Sequence, residues 1–106
     1  MKKTTIDYFA SLDMILMNFY GLSETTGGTT VMSSKRRTIK HAGFIINGVE
    51  FKADNPDENG NGEICVRGRN IMMGYLNNEK ATREVIDAEG YFHSGDLGKL
   101  TDDGFL

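Results

Sequence analysis

The sequence predicts an α/β fold in which a short helix and one buried strand lead into a small β-barrel-like subdomain. Apolar residues recur at helical spacing within residues 5–12. An unbroken apolar run, Met14 to Met17, follows and is typical of a strand covered on both faces. From about His41 onward, short alternating runs are separated by turn residues, as in a β-meander. We therefore divide the 106 residues into two parts, residues 1–34 and residues 35–106.

In the first part, we expect a helix over residues 5–12, capped by Thr4 or Thr5. Residues 14–19 are expected to form the buried strand, and residues 23–34 a loop with a short helical turn. The basic run at residues 35–37 is interpreted as a solvated loop. The sequence therefore places its single sheet-interior strand just before a loop rich in glycine and hydroxyl residues.

In the second part, Asn47-Gly48 predicts a two-residue hairpin that joins a strand at residues 45–46 to one that begins at Val49. Residues 54–62 are a polar turn, and strands are expected near residues 63–67 and 71–73. Asn78 can cap a helix over residues 79–86. Two further strands, residues 91–94 and 97–100, are expected to meet at a corner formed by Gly95 and Asp96.

Composition excludes several classes of protein. The net charge is −3, which argues against a nucleic-acid surface because such surfaces are basic. The single Cys65 cannot form an internal disulfide, and the two histidines, far apart, give no zinc-ligand spacing. No apolar stretch is long enough to span a bilayer, so an intracellular setting is the default expectation.

The run N-F-Y-G-L-S-E-T-T-G at residues 18–27 carries the first candidate site. It would deliver an aromatic ring, a glycine, a hydroxyl and a carboxylate at the end of the buried strand, where α/β sheets bind ligands. Tyr20 could face a base, Gly21 could allow close backbone approach, and Ser23 with Glu24 could hold phosphate and magnesium. Taken alone, the same residues could be a core tyrosine, a turn glycine and a helix start.

Two further motifs follow in order: G-E-I-C-V-R-G at residues 62–68, with G-Y at 74–75, and H-S-G-D-L at residues 93–97. Together the three motifs resemble the adenylate-forming superfamily of acyl-CoA synthetases, luciferase-like enzymes and peptide-synthetase adenylation domains. The sequence around them is most similar to long-chain fatty acyl-CoA synthetases of the bubblegum type. The resemblance runs over nearly all of the chain.

The resemblance implies ATP-dependent activation of a fatty acid as acyl-AMP, followed by transfer of the acyl group to coenzyme A, with Mg²⁺ as cofactor. It implies that Tyr20 lies against adenine and that Asp96 binds the ribose hydroxyls. Ser23 and Glu24 would act in catalysis at the phosphates, with Glu24 as metal ligand. Residues 21, 22 and 25 (Gly21, Leu22 and Thr25) complete the implied nucleotide-binding set. For Asp96 alone, a turn aspartate bonded to its own backbone is the alternative.

Other polar residues are interpreted as structural. His93 has no partner that the sequence identifies, Glu63 and Arg67 are expected to be surface charges, and Cys65 an inert small residue. The pair at residues 74–75 is attributed to packing and turn geometry.

The resemblance also places the chain at the end of a larger N-terminal domain. The phosphate loop would then precede the chain, and a C-terminal domain with a catalytic lysine would follow it. The apolar run that begins at Phe105 is interpreted as a strand cut short, and the chain alone is expected to be inactive. Peripheral membrane association of the full-length enzyme is compatible with a fatty-acid substrate. Two alternatives remain: another adenylate-forming ligase, luciferase-like or specific for aryl acids, and a non-catalytic β-barrel binding module.

Overall fold

Short helices and antiparallel strands alternate along the chain in the computed structural model, which describes residues 3–14, 16–32, 41–104 and 106. The elements are α1 (Lys3–Ser11), β1 (Gly21–Leu22), a 3₁₀ helix (Ser23–Thr25), β2 (Gly27–Gly28), β3 (Thr30–Val31), β4 (Phe44–Ile45), β5 (Val49–Asp54), β6 (Gly62–Gly68), α2 (Glu79–Val85) and β7 (Phe92–Gly98). The mixture of helix and sheet confirms the predicted fold class.

The largest sheet has the antiparallel order β5-β6-β7, with β6 in the middle. Its central residues Ile64, Cys65 and Val66 are 2%, 0% and 0% exposed, and Phe92 of β7 is also buried. Strand β6 is covered on both faces, and this explains its near-continuous apolar run at residues 64–66. Among the described residues this sheet is open, so the β-barrel-like expectation is met only by a three-stranded antiparallel sheet with a buried central strand.

Strand β7 contains a bulge that positions the third motif. Glu63 pairs with Leu97 and Cys65 pairs with His93, so three residues of β7 lie opposite the single residue Ile64. Gly95 has a φ of 74°, a left-handed conformation that favours glycine in a bulge. The two strands predicted at residues 91–94 and 97–100 are therefore one strand, and the predicted corner is this bulge.

The buried strand predicted at residues 14–19 is wrong for the described residues of that segment. Strand structure begins only at Gly21, and the side chains of Met14, Met17 and Phe19 are 51%, 58% and 68% exposed. A sheet-interior strand needs hydrogen-bonded neighbours on both sides. Among the described residues no strand pairs with this segment, so the apolar run is left uncovered. Position 15 lies outside the described residues.

The hairpin predicted at Asn47-Gly48 is also wrong, because the strands on either side of it pair elsewhere. Strand β4 pairs with β3, and β5 pairs with β6. The turn itself exists, since the Val49 N–H donates to the Ile46 carbonyl at 3.3 Å. Only Gly48, with φ 85°, is left-handed, whereas the tight hairpin turn of type I′ needs both central residues there. The turn therefore redirects the chain from one sheet to the next.

Both predicted helices are confirmed. Helix α2 begins after Asn78, whose side chain accepts from the Ala81 N–H at 3.1 Å, and α1 begins at Lys3, so its predicted caps Thr4 and Thr5 lie in its first turn. The strand predicted at residues 71–73 is wrong: this segment is irregular. Residues 33–40, with the basic run and the boundary between the two predicted parts, and Phe105 lie outside the described residues.

Candidate nucleotide site

Tyr20 is fixed at the end of the exposed segment by two buried threonines. Its N–H donates to Thr30 Oγ1 at 2.8 Å, and its carbonyl accepts from the N–H of Thr29 at 2.7 Å. Thr29 and Thr30 are 0% and 2% exposed, so these bonds are shielded from water. The small hydroxyl residues after the first motif therefore act as its backbone anchor.

The first and third motifs meet through a direct hydrogen bond. The Tyr20 hydroxyl donates to Asp96 Oδ2 at 2.8 Å, across 76 residues of sequence. Burial raises the pKa of Tyr20 to about 12, and the bond to Asp96 acts in the same direction, against an opposing effect of Ser94. Tyr20 is thus a protonated donor at neutral pH, and one carboxylate oxygen of Asp96 is committed to it.

Glu24 lies in a 3₁₀ turn that is braced by the irregular segment at residues 70–75. Its carbonyl accepts from the Met72 N–H at 2.8 Å, and its Oε1 accepts from the Tyr75 hydroxyl at 2.9 Å. Asn70 Nδ2 donates to the Thr25 carbonyl at 3.1 Å, which ties the same turn to the rest of the chain. Sequence reasoning attributed Tyr75 to turn geometry and missed this contact with Glu24.

The other predicted site residues surround this turn in different ways. Ser23 is exposed, and Leu22, not Ser23, occupies the cap position of the 3₁₀ helix. Thr25 is 1% exposed, and its hydroxyl bonds within the loop, to Leu22 and to the Gly27 carbonyl. At Gly21 a Cβ atom would collide with the Gly27 carbonyl, so the glycine is required by the close approach of β1 and β2. Their roles toward a nucleotide stay predictions.

An open cleft of about 500 Å³ separates the Glu24 turn from the bulge of β7. Its lining includes Leu22, Glu24 and Tyr75 on one side and Ser94 and Gly95 on the other. A carboxylate oxygen facing such a cleft is the hard ligand that Mg²⁺ prefers, and Mg²⁺ sites commonly combine one or two carboxylates with substrate phosphates. The donor chemistry of Glu24 therefore fits a magnesium ion.

A network of ionisable groups that sequence reasoning missed lines the same cleft beside the bulge, and includes Glu63, Asp87 and His93. His93 Nδ1 is 2.9 Å from Glu63 Oε2, and His93 Nε2 is 3.4 Å from Asp87 Oδ2. These contacts raise the pKa of His93, through Glu63 foremost, and the bond to His93 lowers the pKa of Glu63. The sequence identified no partner for His93 and indicated a surface charge at Glu63; in the structure the two side chains contact each other and are 26% and 33% exposed. Register was the missing information, because Glu63 and His93 are 30 residues apart.

Asp87 and Cys65 border this network. Asp87 accepts backbone N–H bonds from Tyr91 and Glu89, and the Tyr91 bond foremost lowers its pKa to about 2. Cys65 Sγ is 3.4 Å from His93 Nδ1, and burial raises the thiol pKa to about 11, in agreement with an unreactive cysteine.

Comparison with known proteins decides the family. The family described as AMP-binding enzyme matches residues 2–76, which include the first two motifs and Glu24. The chain belongs to the AMP-binding enzyme family.

Curated relatives of this AMP-binding chain are similar over its whole length. It is 45% identical over 106 residues to the long-chain-fatty-acid–CoA ligase ACSBG1 of Rattus norvegicus, and 42% identical over 104 residues to the ligase ACSBG2 of Xenopus laevis. The two matches cover 100% and 98% of this chain, but only 15% and 14% of those relatives. The chain thus corresponds to about one seventh of their length, and bubblegum-type ligases are indeed its relatives.

A solved structure extends the comparison to the fold. The O-succinylbenzoate coenzyme A synthetase of Bacillus subtilis, in complex with ATP and magnesium ion, matches with a TM-score of 0.75 and 33% identity. The match covers 88% of this chain and 26% of that one. Within the described part of the AMP-binding chain, neither helix has the length and apolar character needed to cross a membrane.

Proposed function

We propose that this chain supplies one wall of the nucleotide site of an ATP-dependent long-chain fatty acid–CoA ligase. The reaction would join a fatty acid carboxylate to the α-phosphate of ATP, releasing pyrophosphate, and the thiol of coenzyme A would then displace AMP from the acyl-adenylate. Both the family and the relatives' names support this class of reaction.

The observation that carries the proposal is the hydrogen bond between Tyr20 and Asp96. Two motifs that the resemblance assigns to adenine and to ribose are far apart in sequence and touch in space. An aromatic face beside a carboxylate suits a nucleoside, because base stacking is worth roughly 1–3 kcal/mol and a carboxylate can accept bonds from two hydroxyls. Asp96 keeps its second oxygen, Oδ1, for this purpose.

Each residue then has a role in positioning rather than in covalent chemistry. Tyr20 would face the adenine and Asp96 the ribose hydroxyls, while Gly21 and Leu22 form the nearby backbone wall. Ser23 and Thr25 would lie nearest the phosphates, and of these only Ser23 has an exposed side chain. Holding the reactants in line accounts for much of the rate of such a reaction.

Glu24 would hold the magnesium ion. When bound, the ion would neutralise part of the negative charge of the phosphates. Tyr75 donates to Glu24 Oε1 and so fixes the carboxylate rotamer, leaving Oε2 as the ligand atom. The Met72 N–H fixes the backbone of the same residue.

We also propose that the enzyme is intracellular, because ATP and coenzyme A are intracellular substrates. It would be cytoplasmic or peripheral on a membrane, since long-chain fatty acids partition into bilayers. The proposal includes no nucleic-acid partner, and the net charge of −3 supports this.

The test is product analysis with the full-length protein that contains this chain. Purified protein is incubated with ATP, Mg²⁺, coenzyme A and a panel of fatty acids and aryl acids. The expected result is pyrophosphate and AMP in equal amounts, with acyl-CoA formed from long-chain acids. Formation of ADP and phosphate would contradict the proposal, turnover of aryl acids alone would favour the aryl-acid alternative, and no turnover by folded protein would favour a binding module.

A further inference from the structure

The central residue of the β7 bulge that presents Asp96 is Gly95, which has no side chain to restrain the backbone. A glycine in a left-handed conformation leaves the backbone with more freedom than any other residue would. The direction of the Asp96 side chain therefore depends on what fixes the bulge from outside.

Glu63 provides that restraint through both of its carboxylate oxygens. The Gly95 N–H donates to Glu63 Oε1 at 2.9 Å, and His93 Nδ1 lies 2.9 Å from Glu63 Oε2. The Glu63 carboxylate thus links His93, which precedes the bulge, to Gly95, which lies at its centre. Two further restraints accompany it: the Ser94 hydroxyl donates to the Ile64 carbonyl at 2.6 Å, and the Asp96 N–H donates to Ser94 Oγ at 3.1 Å.

His93 is itself held from the opposite side. Its Nε2 faces Asp87 Oδ2 at 3.4 Å, and Asp87 is fixed by backbone donors and by Lys52 Nζ at 3.3 Å. An imidazole held between two carboxylates has one preferred ring orientation, which in turn sets the rotamer of Glu63. The chain of contacts runs from Asp87 through His93 and Glu63 to the backbone beside Asp96.

We propose that Glu63 and His93 are positioning residues that aim the Asp96 carboxylate at the ribose of the bound nucleotide. The inference rests on the proposed function, because it assumes that Asp96 contacts ribose. Glu63 and His93 line the cleft beside the bulge, but the role proposed for them does not require contact with the ribose. Both act through the Gly95 backbone, and their loss disturbs nucleotide selection more than it disturbs the fold.

The test compares ATP with 2′-deoxy-ATP in the full-length protein, using the ratio of the two kcat/KM values for pyrophosphate release. Asp96→Ala is the reference, and should lower ATP kcat/KM and the ratio by about ten- to a hundredfold, the loss of a charged acceptor. Glu63→Ala should lower the ratio by about two- to tenfold, the effect of one ordinary hydrogen bond, mainly through a higher KM for ATP. Glu58→Ala, an exposed carboxylate of the β5–β6 turn, is the matched control and should keep the wild-type ratio.

Conservative variants separate positioning from mere stability. Glu63→Gln keeps an oxygen that can accept from the Gly95 N–H and should restore most of the ratio. His93→Asn keeps a donor near the place of Nδ1 and should retain more of the ratio than His93→Ala. This second pair decides the question if Glu63→Ala does not fold.

The possible results distinguish a failure of the positioning role from a failure of the ribose role. Glu63→Ala or His93→Ala protein that melts earlier yet keeps the wild-type ratio would overturn the positioning role. If Asp96→Ala lowers the ratio but the Glu63 and His93 variants do not, the inference fails and the ribose role stands. If Asp96→Ala itself keeps the wild-type ratio, the ribose role in the proposed function fails.

Discussion

Replacing Glu24 by glutamine should separate the metal role of this residue from its structural role. The amide oxygen of the new side chain could still accept from the Tyr75 hydroxyl, which donates to Glu24 Oε1 at 2.9 Å, and the backbone bond from Met72 is untouched. The change therefore removes one negative charge and little else. The exposed hydrogen bond should weaken by less than about 1 kcal/mol, so folding should survive.

The effect on catalysis should be much larger. Charge neutralisation by a metal in such a site is worth several kcal/mol, and a loss of about 3–4 kcal/mol corresponds to roughly a hundred- to thousandfold lower adenylation rate. The assay is the initial rate of pyrophosphate release by full-length protein as a function of Mg²⁺ concentration. Part of the loss should be recovered at high Mg²⁺, because an amide oxygen is a weaker but usable ligand.

Two control variants complete the Glu24 experiment. Tyr75→Phe keeps the charge and loses only the hydroxyl, so it should require a few-fold more Mg²⁺ at a similar maximal rate. Glu58→Gln removes a charge from an exposed turn and should leave the Mg²⁺ dependence unchanged. Near-normal rates for Glu24→Gln at limiting Mg²⁺ would refute the metal role and leave Glu24 as a residue of the 3₁₀ turn.

Three further predictions concern the chain itself. The isolated 106 residues should release no pyrophosphate above background with ATP, Mg²⁺ and fatty acids, because the cleft that they line is open to solvent and positioning is much of the catalysis; turnover would refute this. The isolated chain should unfold with weak cooperativity or aggregate, because Met17 and Phe19 are 58% and 68% exposed, and a sharp two-state denaturant transition of a monomer would be the contrary result. The stability of the β6–β7 pair, measured by amide hydrogen exchange, should fall at both pH extremes. Asp87 has a pKa lowered to about 2, and the pKa of Glu63 is also lowered. Their contribution to stability is therefore present above about pH 4 and is lost as the pH falls. His93 has a raised pKa, so its contribution to stability is present below about pH 6.5 and is lost as the pH rises through its folded pKa. A flat profile, or an acid loss that Asp87→Asn leaves unchanged, would contradict this assignment.

Local signals in the sequence were sufficient where one residue decides the structure. Asn78 caps α2 as expected, because an asparagine before a helical pattern satisfies an N–H that would otherwise lack a partner. Gly95 marked an irregularity in β7, although the sequence could not tell a bulge from a corner. Asn47-Gly48 predicted a turn correctly, but a turn signal does not say which strands pair on either side of it.

The expectations that failed depended on which strands pair and in which register, and the sequence pattern does not specify either. The apolar run from Met14 to Met17 is patterned for a covered strand, yet no strand pairs with it among the described residues. At the site, the resemblance implied that Tyr20 and Asp96 serve the same nucleotide, but not that they are hydrogen-bonded to each other. The network of Glu63 and His93 needed the register of β6 against β7, which alternation alone cannot supply.

The most direct test of the nucleotide site is a crystal structure of the full-length protein with ATP and Mg²⁺. We predict the Tyr20 ring against the adenine and the Asp96 carboxylate within hydrogen-bond distance of both ribose hydroxyls. We also predict a Glu24 oxygen about 2.1 Å from the magnesium ion. A nucleotide bound elsewhere, with Asp96 still bonded only to Tyr20 and no metal at Glu24, would contradict the proposed site.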